Sequence, residues 1–114
     1  MKYMFLICAE NADYADSGVP EELDATPWLE EVQARGVREL GERLAAPEDA
    51  TTVRVRDGRV VLADGPFVET KELICGFDII DCADLDEAIE IATKHPMATF
   101  GMIEVRPFWT PPQQ

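Results

Sequence analysis

Apolar runs of strand length occur at three places along the chain. The first nine residues contain a short apolar run that predicts a buried first strand. Residues 73–82 are rich in Ile and Phe and sparse in charge until Asp78, as expected of a strand with at least one buried face. Residues 101–106 predict a last strand. Between the first strand and residue 26, the chain lacks periodicity and collects turn formers, which is typical of a surface loop.

Two segments predict helices. Thr26 followed by proline is a helix start, because its hydroxyl can accept a free backbone N–H while proline suits the first turn. Gly36 predicts a left-handed stop after this helix, and a helix continuing to Leu44 is the alternative. Asp84 and Glu87 form a capping box for the second helix, which Pro96 ends.

A β-hairpin is predicted between these helices. Residues 51–56 have the alternating pattern of a strand, and Asp57-Gly58 has the residue types of a type I′ turn. Residues 59–62 then form the second strand of the predicted hairpin. The order strand, helix, hairpin, strand, helix, strand predicts an α+β, ferredoxin-like antiparallel sheet with two helices on one face. An apolar second face would need a cover, so we expect a homodimer.

Composition narrows the functional classes. The 114 residues have room for one domain, which we place at 1–107 with a tail at 108–114. Hydrophobic residues at 46% and charged residues at 29% fit a folded domain rather than a disordered chain. Ten basic residues against 23 acidic ones give a net charge of −13, which disfavours nucleic acid and anionic membrane surfaces as partners.

The cysteines and the N-terminus point to the cytoplasm. Cys8, Cys75 and Cys82 are odd in number and lack zinc-ligand spacing, which suits buried thiols in a reducing compartment. The first apolar run is too short for a signal sequence or a membrane span. Nucleotide-binding glycine motifs are absent from the sequence and its lone histidine lacks companion ligands, so we expect neither cofactor nor metal.

Several motifs carry a family resemblance. They are Asp64-Gly65-Pro66-Phe67, Glu69-Thr70-Lys71-Glu72, Gly76-Phe77, Leu85-Asp86-Glu87-Ala88 and Ile103-Glu104-Val105-Arg106-Pro107. With them the chain resembles the DGPF (YCII-related) family. The resemblance implies a dimeric α/β barrel of ferredoxin-like subunits, similar to cofactor-free enzymes such as muconolactone-isomerase-like proteins. The family's shorter branch has a suspected His/Asp pair with an early histidine, but here no histidine precedes His95, so that pair does not transfer.

Asp64 and His95 are the candidate catalytic residues. Asp64 follows the second hairpin strand, where a partly buried carboxylate would act as a general base; a turn-forming aspartate is the alternative. His95 lies at a helix C-terminus, where the helix dipole would favour its protonated form. It would serve as an acid catalyst or simply cap the helix.

Four further residues are candidates for substrate binding. Glu69 and Lys71 would point to one side of an extended chain and orient a polar substrate, or form a surface ion pair. Tyr3 and Phe67 would line a pocket between helices and sheet, or fill the core.

Two functional hypotheses follow. In the first, the protein is a cofactor-independent enzyme or binder of a small polar or lactone-like metabolite, with proton transfer at Asp64. In the second, it is a non-catalytic accessory or regulatory module, for example one associated with an extracytoplasmic-function sigma factor, as the resemblance implies for some members. Convergence of Asp64, Lys71 and His95 on one cavity would favour the enzyme.

Overall fold

The computed structural model describes residues 1–10, 21–65 and 73–112. The strands are β1 (Lys2–Ala9), β2 (Arg38–Arg43), β3 (Thr51–Arg56), β4 (Arg59–Asp64), β5 (Leu73–Asp81) and β6 (Met102–Pro107). The helices are α1 (Thr26–Ala34), α2 (Leu85–Thr93) and the short α3 (Met97–Phe100). Single 3-10 turns occupy Glu21–Leu23 and Pro47–Asp49. Within the described residues, no helix is long and apolar enough to cross a membrane.

Four strands form an antiparallel sheet in the order β2-β5-β1-β6, which confirms the predicted α+β, ferredoxin-like architecture. Alternate residues of β1 face the helices because successive strand side chains point to opposite faces. On this face Tyr3, Phe5 and Ile7 are buried and pack with Val32 of α1 and Ile91 of α2. Both longer helices therefore cover the same side of the sheet.

The opposite face of the sheet carries a group of apolar side chains that nothing covers in the single chain, beside the charged Glu104 and Arg106 of β6. Leu40 of β2, Ile74 of β5 and Met102 of β6 are exposed, and Met4 and Leu6 of β1 are only half-buried. The surface of an ordinary monomer exposes apolar residues singly, whereas here several large apolar side chains are exposed on one face.

The helix ends follow local signals, with one correction. Gly36 adopts a φ of +70° after α1, as the predicted left-handed stop requires. The Asp84 side chain accepts from the Glu87 N–H at 2.9 Å, which confirms the cap of α2. The Thr26 hydroxyl does not cap α1; it donates to Asp24 Oδ1 at 2.7 Å, because this carboxylate lies two residues earlier and also accepts the Thr26 N–H.

The second strand of the sheet was missed in the sequence. Residues 38–43 form β2 beside β5, so the alternative of a helix continuing to Leu44 is wrong. β2 lies at the sheet edge and most of its side chains are exposed, with only Gly41 buried. The strand is held by backbone pairing with a distant partner, which leaves no apolar pattern in its own sequence.

The hairpin is confirmed but lies outside the main sheet. β3 and β4 pair from Thr51 opposite Asp64 to Arg56 opposite Arg59, and form a separate two-stranded sheet. Asp57 and Gly58 at the tip both have positive φ, 53° and 75°, as a type I′ turn demands. The chain thus leaves the sheet after β2 and re-enters it at β5.

Candidate functional site

A cavity of about 280 Å³ opens between α1, β2, β5 and the segment that leads into α3. Most of its wall is apolar, and ionisable side chains lie at several points of it. It is lined by Ile7, Leu23, Asp24, Ala25, Trp28, Leu29, Arg38, Gly41, Glu42, Arg43, Cys75, Gly76, Phe77, Asp78, His95 and Met97. Such a volume is close to the lower end of the roughly 300–1,000 Å³ that is usual for small-molecule pockets.

A buried ion pair forms one wall of this cavity. The Arg38 Nε–H donates to Asp78 Oδ1 at 2.8 Å, and Arg38 Nη2 donates to the Gly41 carbonyl at 2.9 Å. Only 8% of the Asp78 side chain and 17% of the Arg38 side chain are exposed. Because a charge-assisted hydrogen bond in such a dry site is strong, the two side chains hold each other in place.

The sheet register explains why a carboxylate fits here. Asp78 lies directly opposite Gly41 in the β2–β5 ladder, so both residues face the helix side of the sheet. A Cβ atom at position 41 would overlap the Asp78 carboxylate and come within 2.7 Å of Arg38 Nη2. The missing side chain of Gly41 therefore provides the space that the ion pair occupies.

Burial dominates the protonation of Asp78. Desolvation raises the pKa of this carboxyl above its usual value, although the hydrogen bond and charge of Arg38 act in the opposite direction. The hydrogen bond from Arg38 is made to Oδ1. Asp78 is therefore a carboxylate whose affinity for a proton is increased and whose second oxygen is not committed to Arg38.

His95 lies in the same cavity, but in the neutral form. It is 6% exposed, and burial lowers its pKa to about 4. The Met97 N–H donates to His95 Nδ1 at 3.0 Å, so the ring proton resides on Nε2. This corrects the expectation of a protonated histidine that caps the helix: desolvation outweighs the dipole, and the ring accepts a hydrogen bond from the chain that follows α2.

Trp28 of α1 fixes the position of the histidine ring. Its indole lies edge-on to His95, with ring centroids 4.6 Å apart and an interplanar angle of 64°. The indole Nε1–H donates to the Ile91 carbonyl of α2 at 2.9 Å. The tryptophan therefore joins both helices and packs the imidazole into the cavity wall.

These groups define what the cavity can do chemically. Asp78 can exchange a proton, the neutral imidazole of His95 can donate a hydrogen bond from Nε2, and the Arg38 guanidinium supplies fixed positive charge. His95 cannot act as an imidazolium acid near neutral pH, given its lowered pKa. Across residues 1–10, 21–65 and 73–112, no group of three or more His, Cys, Asp or Glu side chains could hold a metal ion.

The sequence-based candidates are dispersed. His95 lines the cavity, whereas Asp64 is exposed at the end of β4 and is not among the lining residues. Beside it, the Gly65 N–H donates to the Ala50 carbonyl at 2.7 Å, and Gly65 has a φ of +86°, as in a turn. Tyr3 is a core residue, 2% exposed, and it too is absent from the cavity lining. Phe67, Glu69 and Lys71 lie outside the described residues.

Sequence reasoning missed Asp78, Arg38 and Trp28 as site residues. The available signal was Asp78 itself, because a carboxylate that interrupts an apolar strand is buried at a desolvation cost and is usually paired. Its partner was not recognisable, since Arg38 lies 40 positions away on a strand without apolar alternation. Trp28 belongs to an amphipathic helix, in which an apolar side chain is expected to pack into the core, so its residue type did not mark it as a site residue.

Comparison with known proteins identifies the family. The model of the YCII-related domain matches residues 1–110, so the chain belongs to the YCII-related family. An uncharacterized protein of Rhizobium meliloti (strain 1021) is 46% identical over 67 residues, which make up 57% of this chain and 54% of that protein. The matched region thus spans about half the length of this curated relative.

Proposed function

We propose that the protein binds a small, largely apolar molecule in the cavity and exchanges a proton with it through Asp78. One observation carries the proposal: Asp78, Arg38 and His95 all line the same cavity, although they come from β5, β2 and the segment after α2. Ionisable groups with shifted pKa values in a concave apolar site are typical of functional sites. The proposed reaction is still proton transfer, as expected from the sequence, but the residue that exchanges the proton is Asp78 and not Asp64.

The substrate class follows from these three groups. The Asp78 carboxylate would remove a proton from a carbon next to a carbonyl, and the C–H electron pair would move to the carbonyl oxygen to form an enolate. The neutral His95 Nε2–H and the Arg38 guanidinium would stabilise that oxygen. Asp78 would then return the proton to carbon, so the step is an isomerisation or exchange in which no electrons are gained or lost. Small lactones and enolisable ketones fit this description.

The experiment combines binding with proton exchange. A panel of small lactones and enolisable ketones is screened by thermal shift, and each hit is then followed by NMR for exchange of its α-hydrogen in D2O. A ligand at a hundred times its dissociation constant stabilises the fold by about 2.7 kcal/mol, a readily measured shift. We expect Asp78→Asn to abolish the exchange while keeping the fold.

Asp64→Asn is the matched control. It makes the same chemical change on the exposed hairpin end, and we expect it to leave both binding and exchange unaltered. Exchange that is lost in Asp64→Asn and kept in Asp78→Asn would contradict the proposed site. Binding without any exchange would contradict the proton transfer and leave a binding protein.

We also propose that the protein is a homodimer whose subunits meet through the open sheet face. The exposed Leu40, Ile74 and Met102 on that face support this arrangement, because a sheet packed on both sides buries them. Light scattering coupled to gel filtration measures the mass. We expect Leu40→Lys to shift the protein toward monomer, and an unchanged dimer would contradict this interface.

A further inference from the structure

Arg38 is a buried guanidinium that already holds a carboxylate. Its Nε–H donates to Asp78 Oδ1 at 2.8 Å, and its Nη2 donates to the Gly41 carbonyl at 2.9 Å. Only 17% of the Arg38 side chain is exposed. Arginine matches the planar geometry of a carboxylate, so an arginine in a cavity wall ordinarily attracts one from a ligand. Here Asp78 supplies that carboxylate from within the chain.

The exposed charges at the cavity add no surplus of positive charge. Asp24, Glu42 and Arg43 line the cavity and are exposed, and together they carry two negative charges and one positive charge. With the Arg38–Asp78 pair included, three acidic and two basic side chains of the described residues line the cavity, which sum to −1. The whole chain carries −13. An anionic ligand is therefore repelled both at the cavity and at the protein surface.

The total charge inside the cavity stays constant during the proposed proton transfer. When Asp78 takes the C–H proton it becomes a neutral carboxylic acid, and the electron pair of that bond places the negative charge on the carbonyl oxygen of the ligand. Arg38 keeps its positive charge, so Arg38, Asp78 and an uncharged ligand sum to zero before and after the step. A ligand with a carboxylate adds an unbalanced negative charge in both states, which costs free energy beside buried groups.

We infer that Asp78 also determines specificity: by neutralising Arg38 it excludes carboxylates and restricts the ligands to uncharged carbonyl compounds. This selection rests on the proposed function, because the same cavity and the same ion pair carry both. It has a consequence that proton transfer alone does not have. Removal of the Asp78 charge leaves Arg38 without its counter-charge, and so opens the cavity to carboxylates.

A matched pair of ligands separates charge from shape. Levulinamide and levulinate share a carbon skeleton and an enolisable ketone, but only levulinate is negatively charged at neutral pH. NMR titration measures both dissociation constants, and uptake of deuterium from D2O measures exchange. We expect the wild type to bind levulinamide at least about tenfold more tightly than levulinate. Asp78→Asn should abolish exchange but bind levulinate at least about tenfold more tightly than the wild type does.

Glu42→Gln is the matched control. It removes one negative charge from the same cavity, at an exposed residue rather than at the buried partner of Arg38. We expect it to change the levulinate affinity by less than about threefold, because exposed charges are well solvated. An equal gain in Glu42→Gln and Asp78→Asn would overturn the assignment of the selection to Asp78.

Salt provides a readout that needs no variant. Repulsion between exposed charges is screened beyond about 10 Å at 0.1 M salt, whereas a buried pair is screened much less. The wild type should therefore still prefer levulinamide at about 0.5 M salt. A preference that disappears there, equal binding of the two ligands, or binding of neither would overturn the charge selection. Selective binding of levulinamide without deuterium uptake would retain the selection and contradict only the proposed proton transfer.

Discussion

Acidification should destabilise the protein through the single histidine. His95 is the only histidine of the chain, and burial lowers its pKa from 6.5 to about 4. When the pKa of a group is lower in the folded state than in the unfolded state, its contribution to stability is fully present above the unfolded-state pKa. That contribution is lost as the pH falls toward the folded-state pKa. The unfolded chain binds the proton first, so protonation favours unfolding.

The pKa difference sets the size of the effect. Each unit corresponds to about 1.4 kcal/mol, so the whole interval from pH 6.5 to about 4 removes roughly 3 kcal/mol of unfolding free energy. Asp78 acts in the opposite direction, because its raised pKa makes its contribution largest at low pH. The lowered carboxyl pKa values of Asp24 and Glu90 matter only further into the acid range. The difference between the wild type and a variant with no titrating group at position 95 therefore isolates the His95 contribution from that of Asp78.

Urea unfolding from about pH 7.5 down to about pH 4.5 measures this dependence. His95→Asn is the paired variant, since its side-chain oxygen can accept the Met97 N–H while no group titrates. We expect a lower stability at neutral pH, because the ring contact with Trp28 is lost, but little further loss on acidification. The imidazole resonance should titrate well below pH 6.5 by NMR. An imidazole that titrates near 6.5, or an equal pH slope in the variant, would refute the reasoning.

Substitutions at three further positions test the packing around the site and the cap of α2. Trp28→Phe removes the indole donor from the Ile91 carbonyl, which keeps only the Lys94 N–H at 3.2 Å, and should cost about 0.5–1.5 kcal/mol by urea unfolding; an unchanged midpoint would contradict a contribution from the indole hydrogen bond. Asp84→Ala removes the cap of α2 and should cost about 1 kcal/mol, while Asp84→Asn should retain most of it in the same assay. Gly41→Ala should cost about 1–3 kcal/mol and weaken any cavity ligand, because the added methyl group displaces the Asp78 carboxylate; wild-type stability would show that the side chains adapt freely.

Local signals in the sequence were sufficient for much of the fold. The turn at Asp57-Gly58 and the cap at Asp84 each involve residues within a few positions of one another, so their chemistry is visible in a short window. β2 depends on pairing with β5, nearly 40 residues later, and its charged edge carries no alternation to recognise. The fold class was still predicted correctly, although the hairpin was counted in the sheet in which β2 lies instead.

The site was harder to predict than the fold for a related reason. His95 was recognised by residue type, but its protonation depends on burial, which the sequence around it does not reveal. Asp78 and Arg38 meet only through the register of two strands, and the space for their contact comes from a third residue, Gly41. Asp64 attracted notice because it belongs to a motif, whereas Arg38, Asp78 and His95 belong to none.

The separation of the hairpin from the main sheet affects how such a protein can diversify. The hairpin begins after β2 and ends before β5. A change in the length of β3 and β4 therefore leaves the β2–β5 register, which positions Arg38 and Asp78, unaltered. Mutations in the hairpin and mutations in the cavity wall can therefore accumulate under separate selection. Relatives with the same cavity could acquire hairpins of different length, and relatives with the same hairpin could acquire different ligands.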